Sequence, residues 1–228
     1  MWKEENARRR FLKALAAAAI SPRIAFAQYP FSLGVASGYP TPGSVVLWTR
    51  LMDVAAPAAV PVRWEVFGDD ALRTPVASGD TAADPAWAHS VHVEVQGLQP
   101  GRWYWYRFSA GDAQSPVGRT RTAPAAGEDA ALRFAFGSCQ QYEQGYFGAY
   151  RHIVADAPDL VAFLGDYIYE SSWGRDLVRS HASPEPYTLE AYRARYALYR
   201  SDPDLQAAHA ACPWIVTWDD HEVDNDYA

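Results

Sequence analysis

Lysine is almost missing from this chain. Both lysines, Lys3 and Lys13, lie in the first 27 residues, so arginine is the only strong cation of everything beyond. Those 27 residues hold six of the twenty Lys+Arg and two of the twenty-seven Asp+Glu, leaving 14 basic against 25 acidic groups, or −11, in the remainder. No basic run resembles a nucleic-acid footprint, which sets that function class aside. Cysteine is scarce as well: Cys139 and Cys212 are the whole supply, too few for a disulfide scaffold. Long apolar runs are also lacking. The leading one, Ala14–Ile20, is too short and too alanine-rich for a stable membrane span.

What the chain does have begins with an address. Arg8-Arg9-Arg10-Phe11-Leu12-Lys13 precedes that apolar run, and Ala25-Phe26-Ala27 is an A-x-A processing site. Arg8-Arg9-x-Phe11-Leu12-Lys13 resembles the twin-arginine export motif, a route for proteins already folded. The expectation is a signal peptide over 1–27, a mature chain beginning near Gln28, the twin-arginine translocation machinery as a transient partner, and a periplasmic or secreted product.

From Tyr29 to about Ala123 the hydrophobic pattern has period two. Ser44–Thr49, Val62–Phe67, His89–Val95 and Trp103–Phe108 read as strands separated by turn residues, with Val91, Val93 and Val95 on one face. Short strands at this spacing predict a β-sandwich over 28–123. Leu98-Gln99-Pro100-Gly101-x-x-Tyr104 looks like the E–F corner of a fibronectin-type module. Residues 124–131, rich in Ala, Pro and Gly, read as a linker.

Beyond it the period changes. Leu132–Phe136 is a strand candidate, Tyr146–Asp156 a helix stopped by Pro158, and Leu160–Leu164 a continuous apolar run, as in a strand covered on both faces. Thr188 could cap a helix through Arg200. Asp202-Pro203, with Asp at the N-cap and Pro at the first helical position, opens another through Ala211. Ser171–Pro186 is a polar excursion over the expected site. The strand Trp214–Thr217 follows, and the order indicates a layered α/β domain over 132–228.

In such sheets chemistry lies outside the carboxyl ends of the strands. Three predicted strand ends carry Cys139, then Asp166 with Tyr169, then Asp219, Asp220 and His221. Acidic groups this close repel one another unless a cation neutralises them. Thiolate, carboxylate and phenolate are all anionic ligands, and a strongly Lewis-acidic ion is what would hold a tyrosine deprotonated. Gly165 lets the chain turn sharply, and the i to i+3 spacing brings Asp166 and Tyr169 together if the loop makes one helical turn. Spacing leaves open whether Asp219 or Asp220 is the ligand.

Gly165-Asp166-x-x-Tyr169 resembles the GDxxY motif of purple acid phosphatases, and Asp220-His221-Glu222 stands where metallophosphoesterases carry GNH[DE]. Gly137-Ser138-Cys139-Gln140, Gly165–Glu170 and Trp218–Asn225 together, behind that leader, resemble the PhoD family of alkaline phosphatases. The resemblance implies a fibronectin-III-like β-sandwich followed by part of an αββα metallophosphoesterase domain. It implies hydrolysis of phosphate mono- and diesters by a metal-bound hydroxide, with Fe3+ and Ca2+. It also implies Cys139 and Tyr169 on iron, Asp166 bridging, Asp220 with Asn225 and Asp226 on the calcium side, and His221 aimed at a phosphate oxygen or leaving group. The downstream histidine motifs of such enzymes are not met before Ala228, so the expectation is an incomplete chain, weakly active or inactive by itself. Two competitors are a phospholipase-D-like diesterase and a fibronectin-like module with an inert appendage.

Overall fold

A computed structural model describes residue 26, residues 28–54 and residues 58–227. The leader, apart from Phe26, lies outside the described residues. Among them no helix is long and apolar enough to cross a membrane.

Among the described residues, eleven strands are arranged in two sheets. One runs in the order β5 (Ser90–Gln96), β2 (Ser44–Arg50), β1 (Val35–Gly38), β11 (Trp214–Val216), β10 (Leu160–Phe163), β9 (Phe134–Gly137). The other pairs β4 (Pro75–Ala83), β3 (Val60–Phe67), β6 (Trp103–Ala110) and β7 (Ala113–Gln114), with β8 (Gly118–Arg121) on β6. The period-two runs form the sandwich core: Val45, Leu47, Val62, Val66 and the Val91/Val93/Val95 face are buried against Tyr104, Tyr106 and Phe108. Tyr104 makes the expected corner, its hydroxyl accepting the Gln99 N–H at 2.8 Å.

The first sheet is continuous across the two parts of the sequence. β1 pairs antiparallel with β2 and parallel with β11, in register at Gly38 and Trp214. A Cβ on Gly38 would stand 2.7 Å from the Trp214 carbonyl oxygen, so only glycine permits that approach. β11, β10 and β9 are all parallel. Helices α1 (Ala149–Ala155), α2 (Leu189–Arg200) and α3 (Pro203–Ala211) follow the expected boundaries closely. Thr188 accepts the Ala191 N–H, and Asp202 accepts those of Asp204 and Leu205. α3 packs on α1, β1 and β8, which ties the sandwich to the second core of Phe147, Val161, Phe163, Tyr199, Leu205 and Trp214.

Within the described residues β10 is covered on one face: Val161 and Phe163 are buried, whereas Leu160 and Ala162 are half-buried and Leu164 is exposed. Register places Phe136, Ala162 and Ile215 in one row, with Phe136 69% and Ile215 44% exposed, and Phe134 nearby at 56%. A bare apolar sheet face of this kind drives association. The 228-residue chain by itself is expected to bind a hydrophobic dye and to self-associate, and the pair Phe134→Ser and Phe136→Ser to reduce both in sedimentation and dye titration. Unchanged behaviour would mean that this face is not what associates.

Candidate metal centre

Cys139, Asp166 and Asp220 sit at or just past the carboxyl ends of β9, β10 and β11. Two of these positions are held at positive φ, Cys139 at 57° and Asp166 at 56°, conformations that non-glycine residues rarely adopt and that concentrate at functional sites. Their loops are stitched together: the Cys139 N–H donates to the Gly165 carbonyl (3.1 Å) and the Gln140 N–H to that of Asp166 (3.2 Å). Gly165, at φ 102°, lies against the third loop, where an added Cβ would meet Asp219 Cβ at 2.5 Å. No other residue fits there.

Ligand atoms of Asp166, Asp220 and His221 lie within 4.8 Å of one another. Asp166 is buried; its Oδ2 accepts the Tyr169 hydroxyl at 3.1 Å and its Oδ1 has no hydrogen-bond partner. Tyr169 reaches it across a bent loop rather than the helical turn that the spacing suggested. Burial, with the Asp166 and Cys139 charges, pushes the Tyr169 phenol well up. Asp220, not Asp219, is the acid in the cluster; Asp219 accepts the Asp220 N–H, while Asp220 Oδ2 accepts the Asp226 N–H at 2.7 Å. Asn225 is exposed and donates to the Asp226 carboxylate at 3.0 Å. Ser138 and Cys139 are exposed, and Cys212 is a buried core residue.

The residues that hold this cluster in place were not singled out from sequence. Glu170, buried, accepts at 2.8 Å from His221 Nδ1, leaving Nε2 as the free ring nitrogen. The Tyr169 ring lies 4.1 Å from the His221 ring, and Trp173, at the start of the polar excursion, meets its edge. Glu222 accepts the backbone N–H groups of Asp166 (3.2 Å), Asp219 (2.9 Å) and Tyr167, so one buried carboxylate joins two strand-end loops. Its bond to Asp219 is half of a capping box, and the Asp219-x-x-Glu222 spacing was the available signal.

Beneath the loop, α2 supplies Arg195 and Tyr199. Arg195 Nη1 donates to the carbonyls of Tyr169 (2.6 Å) and Glu170 (2.7 Å) and contacts His181 Nδ1, while the Tyr199 hydroxyl accepts the Tyr169 N–H at 3.0 Å. Burial, with Arg195 beside it, lowers His181 to about 4 against the pull of Glu143 and Glu170. Burial, with Arg200 near, also pushes His209 far down as it pairs with Tyr167. Both histidines are thus held neutral in the fold and take up protons more readily once unfolded. Between pH 6.5 and about 4 the unfolded chain binds more protons, so stability is full above that window and falls with pH through it. Denaturant midpoints measured from pH 7 to 4.5 should drop, and His181→Gln should flatten the slope; a parent slope of zero would contradict this.

Carboxylates, an imidazole and a phenol converging at the ends of parallel strands make up a donor set that could hold a metal ion. Comparison with known proteins narrows the reading. Residues 134–228 match the family model described as PhoD-like phosphatase, and residues 15–124 match that of its N-terminal domain. The chain is 54% identical to alkaline phosphatase D of Bacillus subtilis (strain 168) over 217 residues, 89% of this chain and 37% of that protein. It superposes on a solved structure of PhoD with a TM-score of 0.87 and 53% identity, covering 90% of this chain and 41% of that one. The chain belongs to the PhoD-like phosphatase family, and spans about two-fifths of the length of these relatives.

Proposed function

We propose that the protein is a metal-dependent phosphoric ester hydrolase whose ions sit at the ends of β9, β10 and β11. The observation that carries this reading is Asp166, a buried carboxylate clustered with a second carboxylate and an imidazole, whose Oδ1 has no hydrogen-bond donor. Such an atom is costly unless a cation takes it, so the donor set fits an ion. Cys139, Tyr169 and Asp166 would hold Fe3+, and Asp166, Asp220, Asn225 and Asp226 would offer oxygens to Ca2+. When bound, the ions would polarise the phosphoryl oxygens and supply an activated water near neutral pH.

The chain's own groups orient the reaction. Glu170 fixes the His221 ring through Nδ1, so that Nε2 is presented to a phosphoryl or leaving-group oxygen. Glu222 and Arg195 hold the two backbones that carry Asp166, Tyr169 and Asp219. Trp173 meets the His221 ring in an edge contact and limits its rotation. In this reading the chain divides into a twin-arginine leader (1–27), a β-sandwich (28–123), a linker (124–131) and a catalytic part from 132 onward, exported to the periplasm or beyond. The exposed Phe134/Phe136/Ile215 face is, on the same reading, where the second sheet of an αββα domain packs.

The test is hydrolysis of aryl phosphate mono- and diesters by the full-length protein, with its metal content. The expected result is turnover in the usual range of about 1–10³ s⁻¹, lost on chelation and restored by iron with calcium. A visible charge-transfer band should accompany it and disappear in Cys139→Ala or Tyr169→Phe. A protein that retains no metal and hydrolyses neither ester ends this reading.

A further inference from the structure

A second, differently charged site lies on the other side of Glu222. A cleft of about 450 Å³ opens between the outer face of the β5-β2-β1 sheet, helix α2 and the end of β11. Trp48, Arg50 and His92 form one wall, cross-strand neighbours on the face turned away from the sandwich core. Arg193 and Arg200 come from α2, and Trp218 closes the third side. In a chain whose residues 28–228 carry a net −11, three arginines around one cleft are unexpected.

None of the three has a carboxylate partner among the described residues. Arg50 and Arg193 are spent in part on backbone carbonyls, and burial with Arg193 beside it lowers Arg50. Arg200 is the decisive one. It is only 6% exposed, its Nη2 donates to the carbonyls of Leu33 and Val35, and its Nε and Nη1 have no partner. Its guanidinium stands 4.9 Å from the centre of the Trp48 ring, a cation–π arrangement, and its charge lies at the cleft wall with its own donors turned inward. The carboxylate in the lining is Glu222, and both its oxygens are committed to the Asp166, Tyr167 and Asp219 N–H groups. A buried guanidinium charge with no carboxylate partner, lining the cleft beside two more arginines, favours an oxyanion there. The two indoles give the same cleft a flat apolar lining.

We propose that this cleft is an organic-oxyanion site, separate from the metal centre, taking a phosphate or carboxylate borne on a flat apolar group. The guanidiniums of Arg50 and Arg193 hold the oxyanion, the buried Arg200 charge beside them adds attraction, and Trp48 and Trp218 take the flat portion. The site uses no residue assigned above to a metal, so its occupancy is independent of the ions and of the hydrolytic reading.

Three probes test it on the full-length protein, followed by calorimetry and tryptophan fluorescence: phenylphosphonate, benzoate and inorganic phosphate. Saturable binding of phenylphosphonate or benzoate is expected to survive removal of metal by chelation. It should weaken about tenfold or more in Arg193→Gln and in Arg50→Gln, partly exposed positions whose folding is checked by circular dichroism. The stronger of the two probes tells phosphate from carboxylate as the preferred head group. Binding that vanishes on chelation and ignores both arginine substitutions places the anion at the metal centre and overturns the proposal. Inorganic phosphate binding as tightly as phenylphosphonate removes the flat-group half of it. No saturable binding of any probe up to about 10 mM overturns it outright.

Discussion

Replacing Asp166 by Asn is expected to abolish stoichiometric metal retention and to lower phosphate-ester turnover on the order of 10³-fold, about 4 kcal/mol of barrier. The substitution is nearly isosteric, and the position is unusually forgiving of it. Asp166 has φ 56°, a region that Asn tolerates better than any residue except glycine, so the backbone has no reason to move. The Asp166 N–H still donates to Glu222, and the side-chain oxygen can still accept the Tyr169 hydroxyl. What disappears is one negative charge whose partner atom, Oδ1, is buried with nothing bound to it. Without an ion, that charge and Asp220, no more than 4.8 Å apart at their ligand atoms, repel one another. Metal-stripped Asp166→Asn should therefore be as stable as the metal-stripped parent, or slightly more so, while the metal-loaded parent gains stability that the variant cannot. Thermal melts of both proteins with and without chelator separate the two. A variant that loses stability without metal, or keeps its iron, would show that Asp166 serves the fold rather than the ion.

The parts of this arrangement that could be read in advance share a property: their signal is local. Thr188 and Asp202-Pro203 announce helix starts because a capping side chain reaches only two or three residues along the chain. The alternation of Val91, Val93 and Val95 does the same for β5. β4, by contrast, is Pro-Val-Ala-Ser-Gly-Asp-Thr-Ala-Ala, an edge strand paired only with β3, with little apolar surface to bury. β8 is Gly-Arg-Thr-Arg, held by its ladder to β6 and by Arg119 and Arg121 stacked over Trp103. Neither has a period to detect, because backbone pairing across long separations decides both. The site divides in the same way. Cys139, Asp166, Tyr169, Asp220 and His221 could be singled out because they stand at strand ends; the residues that hold Asp166, Tyr169 and His221 in place could not. Glu170 and Arg195 act through contacts 51 and 26 residues away, which no window of sequence contains. The cleft of Arg50, Arg193 and Arg200 joins three elements that only the shared sheet brings together.

Glu222→Ala is expected to cost about 3–5 kcal/mol of folding stability, a large share of a typical total of roughly 5–15 kcal/mol. The side chain is 7% exposed and accepts three backbone N–H groups, two from the loop after β10 and one from the loop after β11. Truncation leaves those donors facing a void, and an unmet buried N–H costs about 1–3 kcal/mol. The full threefold penalty is not expected, because the adjoining cleft admits water that can satisfy part of the set. Metal affinity should fall with stability, since Glu222 is what holds the Asp166 and Asp219 backbones together while like charges on Asp166 and Asp220 push the loops apart. Glu222→Gln should lie between parent and alanine variant: its carbonyl oxygen can serve one loop, but its amide presents donors to donors on the other. The measurement is a shift of the denaturant midpoint at unchanged slope, with iron content determined on the same samples. If Glu222→Ala unfolded within about 1 kcal/mol of the parent, the clamp would have no energetic standing, and the strand-end loops would have to be held by their own backbones.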